Sequence, residues 1–191
     1  MAQTNQIAVA RLTGEVLKRH VAGLMALDEA IVRELGPRYD AHAWERPQFE
    51  LALPGKWDLS VTALDRGSPV GFLIASRWDG NGHIHRFAVA KAHRGRGVGS
   101  MLLDAVTSNG RAEGLRYLTV QTPAANTEAR DWYAGNGFSL CADPELAWYV
   151  HARGVEGQPK NGLLAQPEGD CWVLRLDLRE PTARGRRAVE G

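Results

Sequence analysis

Six residues, Arg94-Gly95-Arg96-Gly97-Val98-Gly99, constrain this chain more than any other feature. They follow His83 to Val89, which reads as a strand, and lead into Val98, Met101, Leu102, Ala105 and Val106, whose spacing makes one apolar helical stripe. Glycines at alternate positions let backbone amides turn toward one point, and that point lies at the positive end of a helix dipole. A phosphate group belongs there. Arg94 and Arg96 add guanidinium donors of the kind that phosphate oxygens accept.

Spacing separates the competing phosphate sites. A nucleoside-triphosphate loop needs a lysine followed by serine or threonine after its last glycine, and Gly99-Ser100-Met101 has none. A dinucleotide fingerprint needs a third glycine where Ser100 stands and sits in a parallel unit near the chain start. A glycine-rich hairpin loop with incidental arginines is the bland alternative, and the strand before and amphipathic helix after argue against it.

Elsewhere the pattern is mixed. Thr13 can cap a helix carrying Val16, Leu17, Val21, Leu24, Leu27, Ile31 and Leu35, closed by Gly36-Pro37 and either continuous or broken near Gly23. Arg38 to Gly55 reads as a loop with room for a short helix. Trp57 to Leu64, Val70 to Ser76 and His83 to Val89 read as three antiparallel strands, separated by Asp65-Arg66-Gly67 and Asp79-Gly80-Asn81-Gly82. Beyond the helix that follows the glycine turn come a strand from Leu115 to Gln121, a second helix capped by Asn126 and running through Tyr133, a strand start at Phe138 to Leu140, and a last strand from Cys171 to Leu178. Asp143 to Asp170 is expected to be a long loop and the tail past Pro181 to be disordered. The fold class is therefore α/β in the α+β sense: one domain over 1–180, a mostly antiparallel twisted sheet flanked by helices, with 181–191 as a tail.

A formal charge of +1 gives no whole-molecule field to draw the protein to nucleic acid or an anionic membrane. Neither partner is expected. The two cysteines, Cys141 and Cys171, fall in no metal or redox spacing, and the start lacks the basic-then-apolar order of a signal peptide. A cytoplasmic location with reduced thiols and no metal is expected.

The motif Arg or Gln, two residues, Gly, one residue, then Gly or Ala is matched by Arg94 to Gly99, and on it the chain resembles the Gcn5-related N-acetyltransferase superfamily. The resemblance runs from about Ile7 to Phe138 and is specific from His83 onward. It implies that the amides of Arg94, Gly95, Arg96, Gly97, Val98, Gly99 and Ser100 hold the pyrophosphate of acetyl-CoA. It also implies that the backbone of Phe87, Ala88 and Val89 serves the pantetheine arm and thioester carbonyl. Asn126 and Tyr133, seven residues apart and hence on one helix face, match the family's asparagine and tyrosine. Asn126 would touch the cofactor arm, and Tyr133 would protonate the departing thiolate, a role a phenol fills within hydrogen-bond reach. Alternatively Tyr133 is a helix residue packed on the sheet.

An amine must be neutral to attack a thioester, so a base is needed. Many relatives carry a glutamate where this chain has Thr119. His83 and His85 share a strand face and offer a substitute, and the run His83-Ile84-His85-Arg86-Phe87-Ala88-Val89 is similar to the corresponding strand of the serotonin (arylalkylamine) N-acetyltransferases, where paired histidines serve proton removal. Two other readings stay open: a metal site without an obvious third ligand, and ordinary sheet histidines bonded to neighbours. By the resemblance the acceptor enters between Arg38, Tyr39, Trp44 and Phe49 on one side and Trp148, Tyr149 and His151 on the other. A small-molecule primary amine acetylated by direct attack in a ternary complex is expected. A protein N-terminal or lysine acetyltransferase and a non-catalytic acyl-CoA sensor are the alternatives, and a homodimer is left open.

Overall fold

The computed structural model describes residues 7–36, 42–141 and 171–179. The stretches read as a long loop at 143–170 and as a tail past 181 lie outside those residues, as do Arg38, Tyr39, Trp148, Tyr149 and His151. The elements run β1 (Ile7–Arg11), α1 (Gly14–Leu35), α2 (Arg46–Glu50), α3 (Lys56–Leu59), β2 (Val61–Asp65), β3 (Ser68–Trp78) and β4 (Asn81–Val89). After a 3-10 turn at Lys91–His93 come α4 (Val98–Ala112), β5 (Tyr117–Pro123), α5 (Thr127–Gly135), β6 (Ser139–Leu140) and β7 (Cys171–Asp177).

The strands form one sheet in the order β1-β2-β3-β4-β5-β7-β6. Every pairing is antiparallel except β4 with β5. This is the expected mixed, mostly antiparallel architecture. Most strand ends differ from the sequence reading, two of them for a visible reason. Trp57 to Leu59 belongs to the helical turn α3 rather than to a strand. Buried Lys56 anchors that turn by donating from Nζ to the carbonyls of Phe49 and Leu51 at 2.6 and 2.7 Å. The β3–β4 turn is only Asp79-Gly80, both with positive φ (41° and 70°), as right-handed strand twist demands of a two-residue hairpin. Asn81 and Gly82 therefore join the ladder opposite Trp78 and Arg77.

Thr13 caps α1, its hydroxyl accepting from the Val16 amide at 3.3 Å, and the helix runs unbroken through Gly23. A glycine inside a helix costs only about 1 kcal/mol relative to alanine. Burying a valine or leucine gains about 1.5–3 kcal/mol, and Val21 and Leu24 flank the glycine fully packed. Two separate cores result. On one sheet face Leu17, Val21 and Leu24 of α1 meet Phe49, Phe72 and Ile74. On the other, Val98, Leu102 and Val106 of α4 meet Leu73, Ala75, Ile84, Leu118 and Leu174. Among the described residues no helix is long and apolar enough to cross a membrane.

Candidate active site

The site is built where β4 and β5 part. Only three residue pairs hold the two strands together: Gly82 with Leu118, His83 with Thr119 and Ile84 with Val120. At that point β4 also slips against β3, because Ile74 faces Arg86 while Ala75 faces Ile84, which leaves His85 as the extra residue of a β-bulge. The bulge re-aims everything after it. Ile84 lies in the α4-side core, and Phe87 and Val89 return to that side, whereas Arg86 reaches α1 on the other face. Strict alternation would have put Phe87 on the α1 side.

On the α4 side the glycine turn has the backbone the motif requires. Gly95 and Gly97 adopt φ of 70° and 81° in open space, so it is the left-handed backbone and not crowding that calls for glycine. Gly97 is the N-cap of α4 and supplies no capping side chain. The helix's first amides thus stay available to an anion. Gly99 has a different reason: a Cβ there would lie 3.2 Å from Trp132 and 3.4 Å from Phe87. It lets α5 close against α4.

The two arginines differ. Arg94 donates through Nη1 and Nη2 to Glu34 on α1 at 2.8 and 3.1 Å and through Nε to the Val89 carbonyl at 3.0 Å. This guanidinium holds the Glu34 carboxyl below its usual range. Arg96 is exposed and makes no ion pair or hydrogen bond among the described residues. In this structure Arg94 ties the turn to α1 and β4, and Arg96 is the uncommitted cation.

Asn126 caps α5, with its side-chain oxygen accepting from the Ala129 amide at 3.1 Å, which leaves its Nδ2 donors for another group. Two turns on, Tyr133 is buried against Trp132 and Phe138, ring centroids 5.2 and 5.1 Å away, with Phe87 of β4 at 6.4 Å. Burial pushes its phenol well above the usual tyrosine range, so it keeps its proton across physiological pH.

On the opposite face the two histidine rings meet edge to face at 4.9 Å. His85 Nε2 lies 2.7 Å from the Ser76 hydroxyl, and His83 Nδ1 lies 2.9 Å from Thr119 Oγ1. The Thr119 hydroxyl also donates to the Gly82 carbonyl at 3.2 Å. Its single proton is spent there, so its oxygen accepts from His83 Nδ1–H and leaves the lone pair on Nε2. Thr119 thereby sets a tautomer. Desolvation lowers the His83 pKa to about 4, so at neutral pH the ring is uncharged. No cluster of three or more potential metal ligands exists among the described residues.

Two expected acceptor walls are corrected. Trp44 and Phe49 are buried core residues, packed edge to face with each other at 5.4 Å and with Phe72 at 5.5 Å beyond Phe49. Their size and apolarity are consumed by the α1-side core. One contributor gave no sequence signal: Asp28 of α1, only 1% exposed, takes Arg86 Nε and Nη2 at 2.6 and 2.8 Å and the Trp44 amide at 2.7 Å. Through Arg86 it fastens the bulged strand to α1 across 58 residues of sequence. No local pattern announces such a pair.

Comparison with known proteins agrees with this geometry. A family model described as "Acetyltransferase (GNAT) family" matches residues 25–138. The ribosomal-protein-S18-alanine N-acetyltransferase of Escherichia coli superimposes with a TM-score of 0.63 at 16% identity, over 91% of this chain and 94% of that one. Diaminobutyrate acetyltransferase from Paenibacillus lautus, determined with L-2,4-diaminobutyric acid and coenzyme A, gives 0.63 at 16% identity over 93% and 98%. Ard1 from Thermoplasma volcanium gives 0.61 at 18% over 90% and 97%.

Proposed function

The chain belongs to the GNAT acetyltransferase family and is an acetyl-CoA-dependent N-acetyltransferase; on that premise we propose that its acceptor is a small-molecule primary amine and that His83, His85 and Tyr133 move the protons. The observation that carries the proton assignment is the pair of opposed groups at the splay. A histidine pair whose His83 is kept uncharged by burial lies on one face and a phenol that burial keeps protonated lies on the other. Bound acetyl-CoA supplies an activated thioester. The amides of Gly97 to Ser100 and the Arg96 guanidinium fit its diphosphate, and the backbone freed where β4 leaves β5 fits the arm.

Each residue then has a defined task. The acceptor ammonium must lose a proton before its lone pair can form the amide bond, and the histidine pair takes that proton. His83 lowered to about 4 is a weak base. That leaves His85 at the bulge as the receiving group. As the carbon–sulfur bond breaks, Tyr133 gives its proton to the thiolate, and the second proton shed by the acylated nitrogen restores the phenol. A small acceptor suits the histidine face because the carboxylate there, Asp28, is spent on Arg86. That leaves no unpaired acid among the side chains named on this face to hold a polycationic peptide.

The test is thiol release from acetyl-CoA against amines, amino acids, aminoglycosides and peptides, run on wild type and Tyr133→Phe. The phenylalanine variant is expected to lose about 100-fold in kcat with unchanged acetyl-CoA affinity by calorimetry. Equal turnover would remove Tyr133 from the mechanism, and a response to peptides alone would replace the small-molecule acceptor.

A further inference from the structure

Gln121 is a polar side chain on the histidine face that the catalytic scheme does not use. Leu118 and Val120 of β5 point into the α4-side core, so alternation puts Thr119 and Gln121 on the other face with His83 and His85. The β5–β7 register is unbroken from Tyr117 to Pro123. No bulge disturbs that placement. The last β4–β5 pair is Ile84 with Val120, so His85 and Gln121 occupy the next row on adjacent strands, at the mouth of the splay.

Both polar atoms of the Gln121 carboxamide, Oε1 and Nε2, are buried, and neither has a hydrogen-bond partner among the described residues. Leaving a buried donor or acceptor unsatisfied costs about 1–3 kcal/mol. Two such atoms on one side chain are a poor structural choice, because leucine would fill the same space without that cost. The cost is recovered when a ligand arrives with a matching pair.

We propose that Gln121 is a specificity-determining residue that pairs with a carboxamide, or an equivalent adjacent donor and acceptor, carried by the acceptor close to its amine. The complementarity is chemical. Gln121 Oε1 needs a donor and Nε2 needs an acceptor, and an amide offers both side by side. A carboxylate satisfies Nε2 but sets oxygen against Oε1, and a hydrocarbon satisfies neither. With His85 in the same row, the acceptor amine and its amide fall against the base and the recognition group together. This deepens the small-amine reading above and rests on it.

The experiment compares glycinamide with isobutylamine, which has the same shape with methyl groups in place of the amide oxygen and nitrogen, and with glycine, the carboxylate. The readout is the ratio of kcat/KM for glycinamide to that for isobutylamine, in wild type against Gln121→Leu. The differing basicity of the amines cancels in that comparison. The ratio is expected to fall about 10- to 100-fold in the variant, with acetyl-CoA affinity retained and the melting temperature unchanged or raised. Gln121→Glu, which keeps the shape and replaces the donor with a charge, is expected to lose glycinamide likewise and covers the case in which the leucine variant misfolds. An unchanged ratio, or wild type preferring glycine or isobutylamine, overturns the proposal. If wild type binds acetyl-CoA but acetylates none of the three, the acceptor class falls and this inference with it. If acetyl-CoA does not bind, the functional reading itself fails first.

Discussion

The two faces of the sheet at the β4–β5 splay do different work with different materials. The α4 side offers a ligand mainly backbone: amides at a helix start, presented by Gly95 and Gly97 in left-handed conformation. The α1 side offers a ligand side chains, His83, His85, Thr119 and Gln121, whose usefulness depends on which strand lies beside which and where the bulge falls. A backbone site is general, because any diphosphate is held by amides. A side-chain site is particular, because each hydrogen-bonding atom selects a partner. The contrast explains why the cofactor side reads as a family trait while the acceptor side must be argued residue by residue.

The sharpest way to break the comparison is Gly97→Trp. Left-handed φ costs a non-glycine residue about 1–2 kcal/mol, and the indole would occupy the open space in front of the α4 amides. Calorimetry with acetyl-CoA is expected to show no heat, a loss of roughly 1,000-fold or more, with the far-UV spectrum retained. Binding within tenfold of wild type would mean that the turn is not where the diphosphate sits.

His83→Asn probes the side-chain face through stability. Folding holds the His83 pKa at about 4, well below the usual histidine range, because the ring is buried. The unfolded chain therefore takes up a proton that the folded protein refuses. The neutral-ring contribution is fully present above about pH 6.5 and is lost as pH falls toward 4. Wild type is expected to lose about 2 kcal/mol more than the asparagine variant over that window, measured by denaturant melts at several pH values. Parallel curves would show that the ring is solvated in solution.

The smallest effect separates the two arginines. Arg96→Ala is expected to weaken acetyl-CoA binding about 3- to 10-fold, with the difference shrinking as salt is raised because an exposed cation is screened. Arg94, engaged with Glu34 and Val89, contributes by holding the turn. Its alanine variant is expected to lower the melting temperature as well, which Arg96→Ala should not.

Legibility followed the same division. The strand, glycine turn and helix around Arg94 to Gly99 were readable because left-handed φ and orphan amides are local demands, met by residues adjacent in sequence. The spacing of Asn126 and Tyr133 was readable for the same reason, since a helical face is fixed by its period. The share of Arg94 taken by Glu34, 60 residues away, was not. Trp44 and Phe49 looked like acceptor walls because an aromatic side chain in a loop gives no sign of whether it faces a ligand or a core, and here α1 and β3 claimed both. Gln121 was one more residue at the end of a strand.

What the chain's sequence determined by itself is therefore the left-handed glycine turn and the alternation of strands and helices around it, because dihedral preference and hydrophobic period act within a few residues. Tertiary structure decided the bulge at His85, the face on which Arg86 and Phe87 emerge, the Thr119 bond that sets the His83 tautomer, and the isolation of the Gln121 amide. Each of these depends on register between strands or on a partner distant in the chain. Only packing of the whole sheet against α1 and α4 fixes those relations.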